Sequence, residues 1–283
     1  LDKVAEVCNR VRERVVPPAK LRVFVESKAE EIRQAVEQGC EKSGLRAEVR
    51  LDGSVAKDTW IRDYVDADIF MRVSPELSKQ QLRELCLPIA KKALEPHEVV
   101  ERFAEHPYVE SNVKFAAGYL RVNVVPCYSV EKGNWLSATD RTPFHTDYIR
   151  THLSNEERDE VRLLKAFLRG VGSYGADIKT GGFSGMLCET LIIAYGNFSD
   201  VVQDFRQWRE DRFIDVEKYY AEREDEVHRI FREALVVVDP VDKGRNLGSA
   251  VRPGQLWNFV AASRQFLHKP SQSFFSERKA KPL

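Results

Sequence analysis

Residues 51–70 read LDGSVAKDTWIRDYVDADIF. The stretch opens on a glycine–serine pair, Gly53-Ser54, crosses a polar segment and closes on Asp66 and Asp68 with one residue between them. In a strand, residues i and i+2 point to the same face, so these two carboxylates project side by side. Ala67, Ile69 and Phe70 around them are apolar. Like charges there meet repulsion and desolvation together unless a cation lies between them. Mg²⁺ suits the place, because it takes hard oxygen ligands and commonly uses one or two carboxylates plus substrate phosphates. A lone Asp-x-Asp is most often a solvated strand or turn, and a lone Gly-Ser an ordinary turn. Their combination carries more. Gly53 lets the backbone approach a ligand closely. Ser54 brings a hydroxyl and an N–H to the expected start of a short helix, a good place for phosphate. Lys57 and Arg62 add positive charge nearby.

The rest of the chain sets bounds on this reading. Its 283 residues suffice for one large domain or two modest ones. With 43% hydrophobic and 31% charged residues, the composition is that of an ordinary soluble protein. No apolar run approaches the roughly 18–20 residues that span a bilayer, so no membrane association is expected. The charged N-terminus does not resemble a secretory signal. Five cysteines, without CxxC or Cys/His spacing, read as reduced thiols of a cytoplasmic protein with no zinc site. Lys+Arg and Asp+Glu are both 44, so total charge lends no support to a nucleic-acid grip, which usually shows as a basic face.

The patterns alternate between helix and strand in the first half. Helices are expected over Asp2–Val16, stopped by Pro17-Pro18, and over Lys20–Ser43; strands over Ala47–Leu51 and Val65–Val73. Ser78 and Gln81 form a capping box that opens a helix to about Glu95, kinked at Pro88. Three strand-like runs follow, EVVERFAEH, YVESNVKFA and YLRVNVVPCYSV, joined at His106-Pro107 and Ala117-Gly118. From Thr142 the patterns are helical: Ser154 and Glu157 form another capping box, GMLCETLIIAYG is a buried helix, FSDVVQDFRQW is amphipathic, and GQLWNFVAASRQFLH is the last helix. EALVVVDPVD is short and extended. The fold class is α+β: a head with a mixed sheet flanked by helices over 1–141, then a mainly helical domain over 142–270, then an extension over 271–283.

Gly-Ser followed by an acid-x-Asp strand resembles the signature of the polymerase-beta-like nucleotidyltransferases. AEHPYV, VNVVPCY, DRTPFH, EVRLLKAFL, GFSGMLCETLI and VVDPVDKGRN resemble, in that order, the archaeal (class I) CCA-adding enzymes, which are tRNA nucleotidyltransferases. The likeness runs from about Val36 to Phe275 and implies a catalytic head domain followed by a helical neck that reads the incoming nucleotide. It implies Mg²⁺ held by Asp66 and Asp68, ATP and CTP as substrates, and the acceptor end of tRNA or another RNA 3′ end as partner. By the same resemblance, Gly53, Ser54, Lys57, Lys165 and Tyr174 belong to the triphosphate and sugar, and Thr142 and His145 to a junction where the nucleotide lies. Arg245 belongs to the base edge, where its fixed donors satisfy the acceptors of cytosine and adenine. Read without the resemblance, these are a snorkelling lysine, a packing histidine, a core tyrosine and a solvated loop arginine.

Two departures stand out. The third catalytic position, just before VVPCY, is Asn123. Alternation puts Arg121, Asn123 and Val125 on one face, so Asn123 can point toward Asp66 and Asp68, but its amide oxygen carries no charge. The expectation is a nucleotide that still binds and chemistry that is slow or absent. The family's body and tail domains are also expected to be missing. Competing readings are an oligoadenylate or cyclic-dinucleotide synthase and a non-catalytic nucleotide or RNA binder.

Overall fold

The computed structural model describes residues 2–103, 106–115, 118–209 and 212–277. Its contacts divide the chain into two compact units, Pro17–Arg150 and the described parts of Leu1–Val16 with Thr151–Leu283. In chain order, α1 (Asp2–Val15) belongs to the second of these.

The first unit begins with α2 (Ala19–Lys42), released by Pro17-Pro18. Val25, Ala29, Ile32, Val36 and Cys40 recur every three or four residues and form its buried stripe. β1 (Ala47–Asp52), the one-turn helix α3 (Gly53–Ala56) and β2 (Asp66–Val73) follow. α4 (Lys79–Ala93) starts at the expected capping box: Gln81 N donates to Ser78 Oγ at 3.2 Å, and Ser78 N donates to Gln81 Oε1 at 2.9 Å. β3 (Val99–Phe103), β4 (Pro107–Phe115) and β5 (Gly118–Tyr128) complete a five-stranded sheet of order β1-β2-β5-β4-β3. β2 and β5 run parallel and the other neighbours antiparallel, so the sheet is mixed. Residue Ala117 of the expected turn lies outside the described residues.

Strand alternation sorts the two faces. Ala67, Ile69, Met71 and Val73 of β2 join Leu120, Val122 and Val124 of β5 in one core with the apolar stripes of α2 and α4. The other face carries Asp66, Asp68, Arg121 and Asn123, with Phe70, Val125 and Cys127 packed beyond them. Past β5, a 3-10 turn (Ala138–Arg141) is stapled back by the buried Asp140. Its carboxylate accepts from Tyr128 N at 2.8 Å, Leu136 N at 2.9 Å and Ser137 N at 2.7 Å. That staple leads into α5 (Thr142–His152).

The second unit holds α6 (Asn155–Gly170), α7 (Gly185–Tyr195), α8 (Phe198–Phe205), β6 (Phe213–Ile214), α9 (Glu224–Ile230), β7 (Val236–Asp239), β8 (Asp242–Asn246) and α10 (Pro253–His268). The capping box at Ser154 and Glu157 opens α6 as expected. Phe167 sits at the centre of an aromatic core, in contact with Phe198, Phe259, Phe266, Phe274 and Phe275. Gly170 lets the 3-10 turn Gln272–Phe275 come so near that a Cβ would stand 2.0 Å from Phe274 O.

Three boundaries differ from the sequence expectation. The division falls at 150/151, not after 141, because α5 continues the chain that Asp140 ties to the sheet. α1 groups with the later unit, where Arg12 meets Glu160 at 2.6 Å. Residues 271–277 are no appendage, since Phe274 and Phe275 complete an aromatic core; 278–283 lie outside the described residues. The mainly helical unit also contains a small sheet, β6-β7-β8. All five cysteines are free and buried. Among the described residues no helix is long and apolar enough to cross a membrane.

Candidate active site

The register of the parallel pair builds the site. Asp66 lies opposite Arg121 and Asp68 opposite Asn123. Asp68 is half-buried, and its Oδ1 accepts from Asn123 Nδ2 at 2.8 Å. Burial pushes the Asp68 carboxyl up to about 6, with the neighbouring Asp66 charge adding to the rise; the Asn123 hydrogen bond, Lys57 and Arg121 oppose it. Asn123 Oδ1 is shielded from solvent and has no hydrogen-bond partner. It is an orphaned acceptor beside two carboxylates.

The opposite wall is Gly53. Its φ is +70°, and a Cβ there would stand 2.1 Å from Asp68 Oδ2. Only glycine allows both the left-handed backbone and the approach. Gly53 N donates to Thr146 Oγ1 at 3.3 Å, and Thr146 in turn donates to Thr142 O at 3.1 Å. Thr142 and His145 are thus carried on the helix that braces the Gly53 turn, with His145 buried. Ser54 occupies the first turn of α3, and Lys57, at its end, is buried near enough to act on Asp68. Gly53→Ala is expected to lower the unfolding free energy by about 1–2 kcal/mol and to weaken divalent-cation binding. Urea unfolding with and without Mg²⁺ measures both effects, and an unchanged midpoint would contradict the close approach.

Arg121 is the feature that the strand pattern placed on the right face without assigning a partner. Its Nε donates to Asp66 Oδ1 at 2.7 Å and its second terminal nitrogen to Asp66 Oδ2, a fork-on-fork pair. Among the described residues no group of three or more His, Cys, Asp or Glu side chains forms a metal cage. The donor set is two carboxylates and one amide oxygen. It fits one hard divalent ion that completes its shell with water and phosphate oxygens, and offers no third charge for a second.

The remaining candidates belong to the second unit. Lys165 on α6 and Tyr174 just beyond it both lie beside Gly185 in the first turn of α7: a Cβ on Gly185 would be 3.4 Å from the Tyr174 hydroxyl and 3.6 Å from Lys165 Nζ. Lys165 is no snorkelling surface lysine. It is buried, and its Nζ meets the buried Glu189 at 3.1 Å. Glu189 stands one turn into α7, and no local pattern marks it as that partner. Arg245 does not sit on a loop but on β8, where its guanidinium is anchored to the buried Asp239 at 2.8 Å and stays partly exposed. Thus Gly53, Ser54, Lys57, Asp66, Asp68, Asn123, Thr142 and His145 gather in one unit, and Lys165, Tyr174 and Arg245 in the other, where Arg245 stands on a different element from the first two.

Comparison with known proteins places this geometry. Residues 30–145 match the nucleotidyltransferase domain, and residues 159–276 match the second domain of tRNA nucleotidyltransferase. The chain is 39% identical to the CCA-adding enzyme of Methanopyrus kandleri over 98% of its own length and 59% of that protein's. The CCA-adding enzyme of Archaeoglobus fulgidus is likewise 39% identical, again over 98% of this chain and 59% of the relative. The chain therefore spans about three-fifths of these relatives. A solved RNA terminal uridylyl transferase superposes with a TM-score of 0.71 at 14% identity, covering 100% of both chains, a likeness of fold alone.

Proposed function

We propose, from the premise that this chain belongs to the CCA-adding enzyme family of tRNA nucleotidyltransferases, that it adds CMP and AMP to the 3′ end of tRNA from CTP and ATP without a template. The observation that carries this reading is the cross-strand set Asp66, Asp68 and Asn123 facing the Gly53 turn. The reaction is in-line attack of an RNA 3′-hydroxyl on the α-phosphorus: a P–O bond forms to the RNA, the bond to the β-phosphate oxygen breaks, and pyrophosphate leaves. Such chemistry asks the protein for alignment and charge neutralisation and needs no covalent intermediate.

Nucleotidyltransferases of this family generally use a divalent metal. Mg²⁺ is the ion we assign here, held by Asp66 and Asp68 with the orphaned Asn123 oxygen beside them; when bound it neutralises the triphosphate and makes the attacking hydroxyl more acidic. Ser54 offers its hydroxyl to the triphosphate, and Gly53 keeps the wall clear. Lys165 and Tyr174 supply a cation and a hydroxyl for phosphate and sugar. Arg245, steadied by Asp239, presents its remaining donors to the base edge. Thr142 and His145 shape the helix behind the Gly53 turn. The RNA end is held single-stranded, through stacking and backbone contacts, and the protein works in the cytoplasm.

A specific observation favours a second reading, a nucleotide-binding relative with little chemistry: Asn123 brings no charge, and Arg121 already occupies Asp66. One assay separates the readings. The protein is incubated with Mg²⁺, labelled CTP and ATP, and a tRNA minihelix lacking its terminal CCA. Slow CMP-then-AMP addition that disappears in Asp66→Asn supports the enzyme. Oligoadenylate or cyclic products from ATP alone would point to a synthase. No product from either the wild type or Asn123→Asp, with nucleotide still bound, would leave the binder.

A further inference from the structure

The Asp66 carboxylate has a resident cation that belongs to the protein. Arg121 stands directly across the parallel register from it, and two guanidinium nitrogens reach its two oxygens. Both side chains are partly open to solvent, 49% for Arg121 and 38% for Asp66, so the pair can open without disturbing the core. Its neighbour Asp68 is half-buried and already engaged by Asn123. Because Arg121 holds both oxygens of Asp66, a divalent ion that is to touch both aspartates competes with the guanidinium there.

We propose that Arg121 is a latch on this site: its guanidinium closes over Asp66 when no divalent ion is bound, and must swing away before an ion can bridge Asp66 and Asp68. The inference rests on the reading of Asp66 and Asp68 as metal ligands, and adds to it a residue that sets the affinity. The apparent dissociation constant is the intrinsic one divided by the fraction of molecules with the latch open. A latch closed in about nine molecules of ten weakens binding about tenfold. The charge balance points the same way. With Asn123 in place of a third carboxylate, the two aspartates and Arg121 sum to a single negative charge, so the closed site draws a divalent ion weakly. The released guanidinium is left on the solvent side of the sheet face, where a phosphate oxygen of a bound nucleotide or RNA end can take over its fork.

The test measures Mn²⁺ binding to the full chain by the electron paramagnetic resonance signal of the free ion, without nucleotide or RNA. The proteins are the wild type, Arg121→Gln, Arg121→Lys and the double variant Arg121→Gln/Asn123→Asp, each checked for an unchanged circular dichroism spectrum. Arg121→Gln is expected to bind Mn²⁺ about tenfold more tightly. Arg121→Lys keeps the charge but loses the fork, and is expected to share most of that gain. If Arg121→Lys binds like the wild type while Arg121→Gln gains, only the through-space charge matters and the latch is wrong. If Arg121→Gln gains nothing while the double variant binds the ion, the latch fails and the metal site stands. If none of the four binds Mn²⁺, the metal reading fails and takes the latch with it.

Discussion

Asn123→Asp should raise the rate of Mg²⁺-dependent CMP addition to a tRNA minihelix by about two orders of magnitude, the size expected when a charge is placed against a reacting centre. The reason is visible in the strand register. Asn123 lies opposite Asp68 on the parallel neighbour, so a carboxylate there would share the space between Asp68 and the orphaned position now held by Oδ1. It would add the charge that the wild-type donor set lacks for the ion activating the attacking hydroxyl. The change has a cost in the metal-free protein. The 2.8 Å hydrogen bond from Asn123 Nδ2 would become a contact between two carboxylate oxygens beside an already crowded Asp68. The variant should therefore melt lower than the wild type in chelator and recover more strongly with Mg²⁺, since ligand that binds only the folded state stabilises it. A single-turnover assay and paired melts check both halves. A variant that melts as described yet adds nucleotide no faster would show that position 123 does not limit the chemistry.

Asp68→Asn should make the protein more stable and useless for metal. Burial, which penalises the charged form, pushes the Asp68 carboxyl up to about 6, above the ordinary aspartate value of about 3.9 that it keeps in the unfolded chain. The folded state thus holds this proton more tightly than the unfolded state. Below the unfolded value both states are protonated and the residue is neutral in effect. As pH rises from the unfolded value toward about 6, the unfolded state gives up its proton while the folded state keeps it, so stability falls, and it levels off once the folded state ionises as well. The difference corresponds to about 2–3 kcal/mol, fully present above the folded value. Asparagine keeps an oxygen for Asn123 Nδ2 and carries no charge. In chelator, Asp68→Asn is expected to gain about 2–3 kcal/mol over the wild type near pH 8, with the gap closing toward pH 4. Urea unfolding across that range measures it, and a gap independent of pH would remove burial of the charge as its source. The same variant should lose Mn²⁺ binding. The site stores instability that a cation relieves, as functional sites commonly do.

Much of this was open to reading along the chain. The capping boxes at Ser78 and Ser154, the stop at Pro17-Pro18 and the apolar stripe of α2 are local signals, and each element starts where its own residues say. The alternation of DADIF and of YLRVNVV was enough to put Asp66, Asp68, Arg121 and Asn123 on polar faces. Partners were harder. Thr146, one turn beyond Thr142, is the residue that touches Gly53 N, and nothing in its spacing singled it out. Glu189 and Asp239 looked like ordinary acids until folding buried them against Lys165 and Arg245. DKGRN has the composition of a turn, yet it becomes β8 because β7 supplies the hydrogen-bonding edge.

What the amino-acid order determined by itself is whatever depends on neighbours a few residues apart: caps, helix stripes, strand faces, the glycine that can turn left at position 53. The tertiary structure alone decided which charge answers which. Asp66 and Arg121 are 55 residues apart in the chain, and a parallel pair slipped by one step would turn Arg121 and Asn123 to the opposite face of the sheet. Register is a property of the whole packed sheet, set by the core on its far side, and with it came the pairing that leaves Asp66 latched and Asp68 charged at a cost.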